Sequence, residues 1–319
     1  MSVPAGAQVR PGSGHQHETT RWQMRKTVDQ KKRRGGMRRA FAATAAGLMA
    51  AAGALAAAPT ASAAPGGVDY VAFGDSYAAN PTIGEQLAGF TQPDRCGQGA
   101  DAYPVRLGNK LGMSTANAAC NGVSINGMAG PGLGFTADRA AARGQLGDNT
   151  RLVTITVGGA EGWNLALADR RDFGVTNGGD FLNYQEFVNR MRGPLNTIRH
   201  HAPNARILFV GYPAVGNDRG EVCLINADVP PELGTPNIAA PVPTNATGFL
   251  NKLDNIARDA AGELGYEYVE TRRAGTDTCA PTPNRWVHGV LDSQMQQMTF
   301  HPSDNGNEAI AQITADHVR

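Results

Sequence analysis

Cysteine is scarce in this 319-residue chain: there are four, Cys96, Cys120, Cys223 and Cys279, and no two of them form a C-x-x-C pair. The chain therefore lacks the spacing on which structural zinc sites are built, and no Cys/His clustering stands in for it. No metal or cofactor is expected. Charge is also sparse, at 18% against 41% hydrophobic residues. A basic surface is missing too. Ten of the 29 Lys/Arg and only two of the 28 Asp/Glu lie in residues 1–63, so the remainder carries 19 bases against 26 acids, about −7 in formal charge. That sign excludes nucleic acid or an anionic membrane surface as the main partner.

The one long charge-free run, "FAATAAGLMAAAGALAAAP" from Phe41, follows a basic cluster made of Lys31, Lys32, Arg33, Arg34, Arg38 and Arg39. It precedes "ASA" at Ala61–Ala63, a small-x-small cleavage pattern, so residues 1–63 read as an N-terminal extension and secretory signal peptide. An Ala/Gly-rich run of this length is a poor membrane anchor, and no stable anchor is expected. "MRRAFAATAAG" from Met37 would open a signal of ordinary length by itself, and Arg38-Arg39 resembles a twin-arginine export signal. Residues 64–319 are then one exported, monomeric domain with room for a sizeable core. An oxidising destination makes two disulfides the expectation. Of the three possible pairings, Cys96–Cys120 and Cys223–Cys279 are favoured, because the others join distant halves of the chain.

Four short apolar segments, "VDYVAF" (68–73), "RLVTITV" (151–157), "RILFVGY" (206–212) and "YEYVE" (266–270), read as strands buried on both faces. A weaker fifth is "STANAAC" (114–120). Between them, Phe181, Tyr184, Phe187, Val188, Met191, Leu195 and Ile198 recur near a helical period, as do Leu250, Leu253, Ile256, Ala257, Ala260 and Leu264 ahead of Gly265. Strands alternating with helices predict a three-layer α/β/α sandwich, flavodoxin-like, around a parallel sheet of about five strands. Residues 121–150, rich in Gly, and 217–246, with five prolines and no periodicity, read as long loops suited to lids or binding walls.

In such a sheet the ligand site lies beyond the carboxyl ends of the strands. "GDS" brings Ser76 there after strand one, while Gly122 and Gly159 follow the next two strands. A serine hydroxyl needs a neighbouring base, a role that suits His301. Asp75 is expected to hold the turn and cap the next helix. His200 and His201 read as complements to a helix dipole, and His288 and His317 as surface residues.

Taken together, "VAFGDSY", "AACNGVS", "LVTITVGGAEGWN" and "FHPSDNGNEAIA" resemble the blocks of the SGNH hydrolases, also called GDSL-type esterases and lipases, in their secreted actinobacterial branch. "CGQGADAYPVRLGNKLG", "ARILFVGYP" and "CAPTPNRWVHG" extend the likeness over nearly all of 68–316. The resemblance implies Ser76 as nucleophile, His301 as base, and the N–H groups of Ser76 and Gly122 as oxyanion donors. The substrate would be a small-molecule, lipid or acylated-carbohydrate ester.

Two departures from the family pattern matter. The third block's Gly-Gly-Asn-Asp is here Gly158-Gly159-Ala160-Glu161, so the Asn donor is gone, a loss of roughly 3–4 kcal/mol of transition-state stabilisation unless Asn164 or another group replaces it. The Asp three residues before the histidine is here Met298. By resemblance to relatives that work as a dyad, the Met298 main-chain carbonyl would orient His301, with Asp304 and Asp292 as weaker candidates. A third disulfide of the branch is also absent, which implies a looser 160–180 loop. The competing reading is an exported binding protein that keeps the fold but has lost catalytic power.

Overall fold

The computed structural model describes residues 66–92, 96–125, 131–161, 183–228, 238–244, 246–293 and 298–319, all within one compact unit, Ala61–Arg319. The leader, Phe181, Asn164 and the rest of 162–182 lie outside the described residues.

Five strands form an all-parallel sheet: β1 Tyr70–Gly74, β2 Thr115–Asn117, β3 Leu152–Thr156, β4 Arg206–Val210 and, counted after two others described below, β7 Glu267–Val269, in the order β2-β1-β3-β4-β7. All five correspond to segments read from sequence. Every residue of β1 and β3 is buried, as their unbroken apolar composition requires of strands covered on both sides. Along β1 the side chains alternate: Val71 and Phe73 join one core with Val153, Ile155 and Phe209, whereas Tyr70 and Ala72 join another with Leu152 and Leu208.

Helices α4 (Leu133–Ala142), α5 (Tyr184–His201) and α6 (Ala246–Leu264) supply Leu133, Met191, Leu195, Leu253 and Ala260 to the first core. Helices α3 (Tyr103–Leu111) and α7 (Asp304–Val318) supply Tyr103, Leu107, Ile310 and Ala311 to the second. The result is a three-layer α/β/α sandwich, with two short helices, α1 (Ser76–Ala79) and α2 (Ile83–Gly89), leading away from the end of β1.

Both stretches read as loops contain regular structure. Within 121–150, α4 buries Leu133, Thr136, Ala137 and Ala140, a helical spacing hidden because only one of the four is large and apolar. Within 217–246 lie β5 (Glu221–Ala227) and β6 (Ile238–Pro243), which join β8 (Leu291–Asp292) in a second sheet ordered β6-β5-β8. Pro241 and Pro243 conceal β6 in the sequence, yet β6 is an edge strand, where a residue without an N–H is tolerated.

Cys96 is bonded to Cys120 and Cys223 to Cys279, with Cα separations of 5.0 and 4.9 Å. Among the described residues, no helix is long and apolar enough to cross a membrane.

Candidate active site

The sequence around Ser76 explains its placement. Gly74 pairs with Thr156 in the β1–β3 ladder, and a Cβ on Gly74 would sit 2.3 Å from the Thr156 carbonyl oxygen, so only glycine allows this approach. The Asp75 N–H then donates to that same carbonyl at 2.9 Å. Asp75, in extended conformation, caps α1 by accepting the Tyr77 N–H at 2.9 Å. Ser76 therefore occupies the first helical position, where a backbone N–H has no intrahelical partner. Asn80, in the left-handed region at φ 35°, ends the helix with its N–H on the Ser76 carbonyl.

His301 arrives from an irregular turn. Its backbone N–H donates to the Met298 carbonyl at 3.1 Å, and Phe300 sits at φ 59°. The ring then lies with Nε2 2.7 Å from Ser76 Oγ and Nδ1 2.8 Å from the Thr299 carbonyl oxygen. The orienting carbonyl is thus Thr299's and not Met298's, one residue later than expected. The cause is the turn itself: Met298 O is taken by the backbone of His301, and the left-handed residue at 300 turns the next carbonyl toward the ring. Neither alternative acid is the Nδ1 partner. Asp292 binds Arg285, Asn226 and the Gly289 N–H, and Asp304 lies in the first turn of α7, 3.7 Å from Arg106.

His288, expected at the surface, is fully buried beside this turn. It accepts the Phe300 N–H at 3.1 Å and donates its own N–H to the His301 carbonyl at 3.2 Å, so it is a backbone splint for His301. His317 is exposed, as expected, and pairs with Glu267 at 3.0 Å, while His200 and His201 stand exposed in the last turn of α5.

Burial lowers the His301 pKa to about 4, opposed by its bond to Thr299. With a carbonyl and not a carboxylate behind it, no negative charge offsets that desolvation. Burial raises the Asp75 carboxyl to about 6, against the pull of donors from Tyr212, Tyr77, Ala160 and Gly159. The Tyr77 ring lies against both His301 and Tyr212, with centroids 4.8 and 4.9 Å apart, and its hydroxyl donates to the Phe300 carbonyl.

The pairing of β1 with the chain after β2 continues beyond the regular strand, through Ala118 N–H to Ala72 O at 2.8 Å and Cys120 N–H to Gly74 O at 3.0 Å. This brings Gly122, at φ 76°, to the Ser76 end of the sheet. Next to it, Asn121 Nδ2 donates to Gln86 and contacts Met298 Sδ at 3.1 Å, so Met298 does reach the site rim, by its side chain. Ala160 lies at the third strand end, with its N–H directed at Asp75.

Sequence reading passed over three contributors: Thr299, Tyr212 and Asn80. Asn80 donates to the Pro302 carbonyl at 3.0 Å and to Asn307 at 3.2 Å, tying the serine helix to the histidine segment. Its signal was present, since Asn is among the few residues that tolerate a left-handed turn. Tyr212 gave only an apolar-strand signal. Among the described residues, no group of three or more His, Cys, Asp or Glu is arranged to hold a metal ion.

A strand-end serine hydrogen-bonded to a histidine that is itself oriented through Nδ1 is the arrangement of an acyl-transfer site. Residues 72–309 match the GDSL-like Lipase/Acylhydrolase family, and the chain belongs to that family of hydrolases. Lipase 2 of Streptomyces coelicolor is 26% identical over 267 residues, covering 78% of this chain and 85% of the lipase. An esterase of Streptomyces scabiei is 26% identical over 299 residues, covering 79% and 86%. In fold the chain is similar to the extracellular lipase of Streptomyces rimosus, with a TM-score of 0.51 at 17% identity, covering 78% of this chain and 98% of that one.

Proposed function

We propose that this chain is an exported serine esterase or lipase that hydrolyses carboxylic esters through an acyl-enzyme. The observation that carries the reading is the 2.7 Å contact between Ser76 Oγ and His301 Nε2, with Nδ1 held on the Thr299 carbonyl. A neutral imidazole that donates Nδ1–H to a carbonyl keeps its lone pair on Nε2, aimed at the serine hydroxyl. Ser76 Oγ attacks the ester carbonyl as its proton passes to Nε2. The tetrahedral intermediate collapses, the alcohol leaves with that proton, and water repeats the sequence on the acyl-enzyme. The N–H groups of Ser76 and Gly122 serve as the oxyanion donors. Acyl glycerols, phospholipids and acetylated polysaccharides are all within reach of this chemistry.

One observation favours a second reading, that of a catalytically weakened binding protein: Ala160 stands where the family pattern supplies an amide donor. The intact pairing of Ser76 with His301 weighs against it, since a binding crevice has no need of that contact. A fluorophosphonate probe separates the two. Mass spectrometry should find the adduct on Ser76 of the wild type and none on Ser76→Ala. An unlabelled wild-type Ser76 would hand the crevice to the binding reading. Export and processing after Ala63 are checked by the N-terminal sequence of protein recovered from the medium.

A further inference from the structure

Tyr212 follows β4, two strands away from β1, yet its hydroxyl donates to the Asp75 carboxylate. To get there the side chain must cross the end of β3. It does so over Gly159, where a Cβ would lie 3.1–3.2 Å from the Tyr212 ring and hydroxyl. The Gly159 N–H donates to the same hydroxyl at 2.9 Å. The root of the side chain is also fixed: the Tyr212 N–H donates to Asp254 at 3.3 Å, and Asp254 is buried and paired with Arg272 at 2.7 Å. Tyr212, Asp75 and Gly159 are thus joined through one buried oxygen that binds the ends of β4, β3 and β1.

We propose that Tyr212 is a positioning residue for the esterase reaction: its hydroxyl latches Asp75, and through Asp75 fixes the main chain of Ser76 so that the nucleophile's own N–H points at the oxyanion. The inference rests on the reading of Ser76 as nucleophile. With Ala160 in place of an amide side chain, the site depends on backbone donors, and a backbone donor can be aimed only by holding its peptide plane. The Asp75–Ser76 peptide carries that donor. Its carbonyl accepts the Ala78 and Ala79 N–H groups, and the Asp75 residue ahead of it is held by its own N–H on Thr156 O and by its carboxylate, whose donors include the Tyr212 hydroxyl. The Gly159 and Ala160 N–H groups turn to this latch, which leaves Ser76 and Gly122 to meet developing charge. Such aim matters most in the transition state, so its loss should appear in kcat and not in KM.

The test is Tyr212→Phe, which keeps the ring and removes only the oxygen. With a short-chain aryl ester, kcat should fall on the order of 10- to 100-fold while KM stays within about twofold. A trifluoromethyl ketone, which adds to Ser76 as a tetrahedral adduct, should lose affinity by the same factor as kcat/KM. Asp75→Asn, which retains the carbonyl oxygen but loses the charge, should lower kcat a few-fold with KM unchanged, and it carries the test if Tyr212→Phe does not fold. Wild-type kcat in a folded variant, or ketone affinity that does not follow kcat/KM, would reduce the latch to a fold-stabilising bond. Failure of the underlying reading is told apart beforehand, because wild-type Ser76 would then not label.

Discussion

Ser76 and His301 meet across 2.7 Å, but their supports are of opposite kinds. Ser76 is carried by the sheet: β1 has parallel neighbours on both sides, and the ladder continues through Asp75 on one flank and Cys120 on the other. His301 is carried by a segment that, among the described residues, has almost no regular structure. Trp286 N–H donates to Thr276 O, Ser303 N–H donates to Trp286 O, and His288 splints residues 300 and 301. Beneath that segment lies Arg285, fully buried, with its guanidinium shared between Asp228 and Asp292 at 2.8 and 2.9 Å. Each support also has its own disulfide, Cys96–Cys120 beside the turn that carries Gly122 and Cys223–Cys279 at the start of the histidine segment. A nucleophile can be placed by strand pairing alone. A base, as proposed for His301, has to keep its ring facing that hydroxyl, and a turn pinned from behind does this.

The sharpest way to test whether the two supports serve one reaction is to remove the groups they deliver. Ser76→Ala and His301→Ala should each lower kcat on the order of 10⁴-fold or more, and the double variant should lose little beyond either single one, because nucleophile and base act as a unit. Circular dichroism should stay native, since no backbone bond of either residue depends on its side chain. Additive losses would mean that the two residues work separately.

Next in size is a break confined to the histidine support. Arg285→Met would leave the buried carboxylate of Asp292, and the partly exposed one of Asp228, without their cation, a loss of roughly 3–5 kcal/mol of the kind seen when one partner of a buried pair is removed. Denaturant midpoints would measure it. A change under about 1 kcal/mol would show that the irregular segment is not anchored through Arg285.

The difference in support also governs what could be read from the sequence. The strands that carry Ser76 were legible because burial on both faces demands unbroken apolar runs, and "VDYVAF" and "RLVTITV" have no other use. Asp75 was legible as a cap because the residue types that cap helices are few. The carbonyl facing His301 was missed by one residue, since a main-chain acceptor has no residue type and its direction depends on Phe300 adopting a left-handed conformation. Helix α4 was missed because alanine and threonine form its buried face. The small sheet was missed because prolines mark an edge strand in the same way as a loop. Tyr212 was missed because a tyrosine at a strand end looks like core until its hydroxyl is seen to reach across β3 to Asp75.

A smaller effect is expected where the oxyanion side departs from its family. Ala160→Asn restores an amide at the third strand end, and kcat should rise on the order of tenfold with KM nearly unchanged, because the added bond strengthens as charge develops on oxygen. The gain should fall short of a full donor, since a side chain placed without its own orienting contacts is held loosely. Unchanged or lower kcat would indicate that another group already fills the role, and a loss of kcat in Asn164→Ala would then identify it.

The smallest effect is a matter of pH, and it reads the two supports separately. On the proposed mechanism both groups act deprotonated: neutral His301 takes the serine proton, and ionised Asp75 accepts its four donors. Activity should therefore fall as pH falls, in two stages. The Asp75 carboxyl, raised to about 6 by burial with Tyr212, Tyr77 and Tyr103 around it, should give a shallow step of a few-fold near pH 6, because protonation weakens the latch without removing the base. His301, lowered to about 4, should give the complete loss, well below the ordinary imidazole value of 6.5. The same shifts act oppositely on stability. The contribution of His301 is present above 6.5 and lost as pH falls through about 4, whereas that of Asp75 is present below 3.8 and lost as pH rises through about 6. A kcat/KM profile for the wild type and for Asp75→Asn resolves the steps, since the variant should keep the lower one and lose the upper. A single full loss centred near 6.5 in the wild type would mean that His301 meets solvent while it works, and that the pinned turn does not keep it dry.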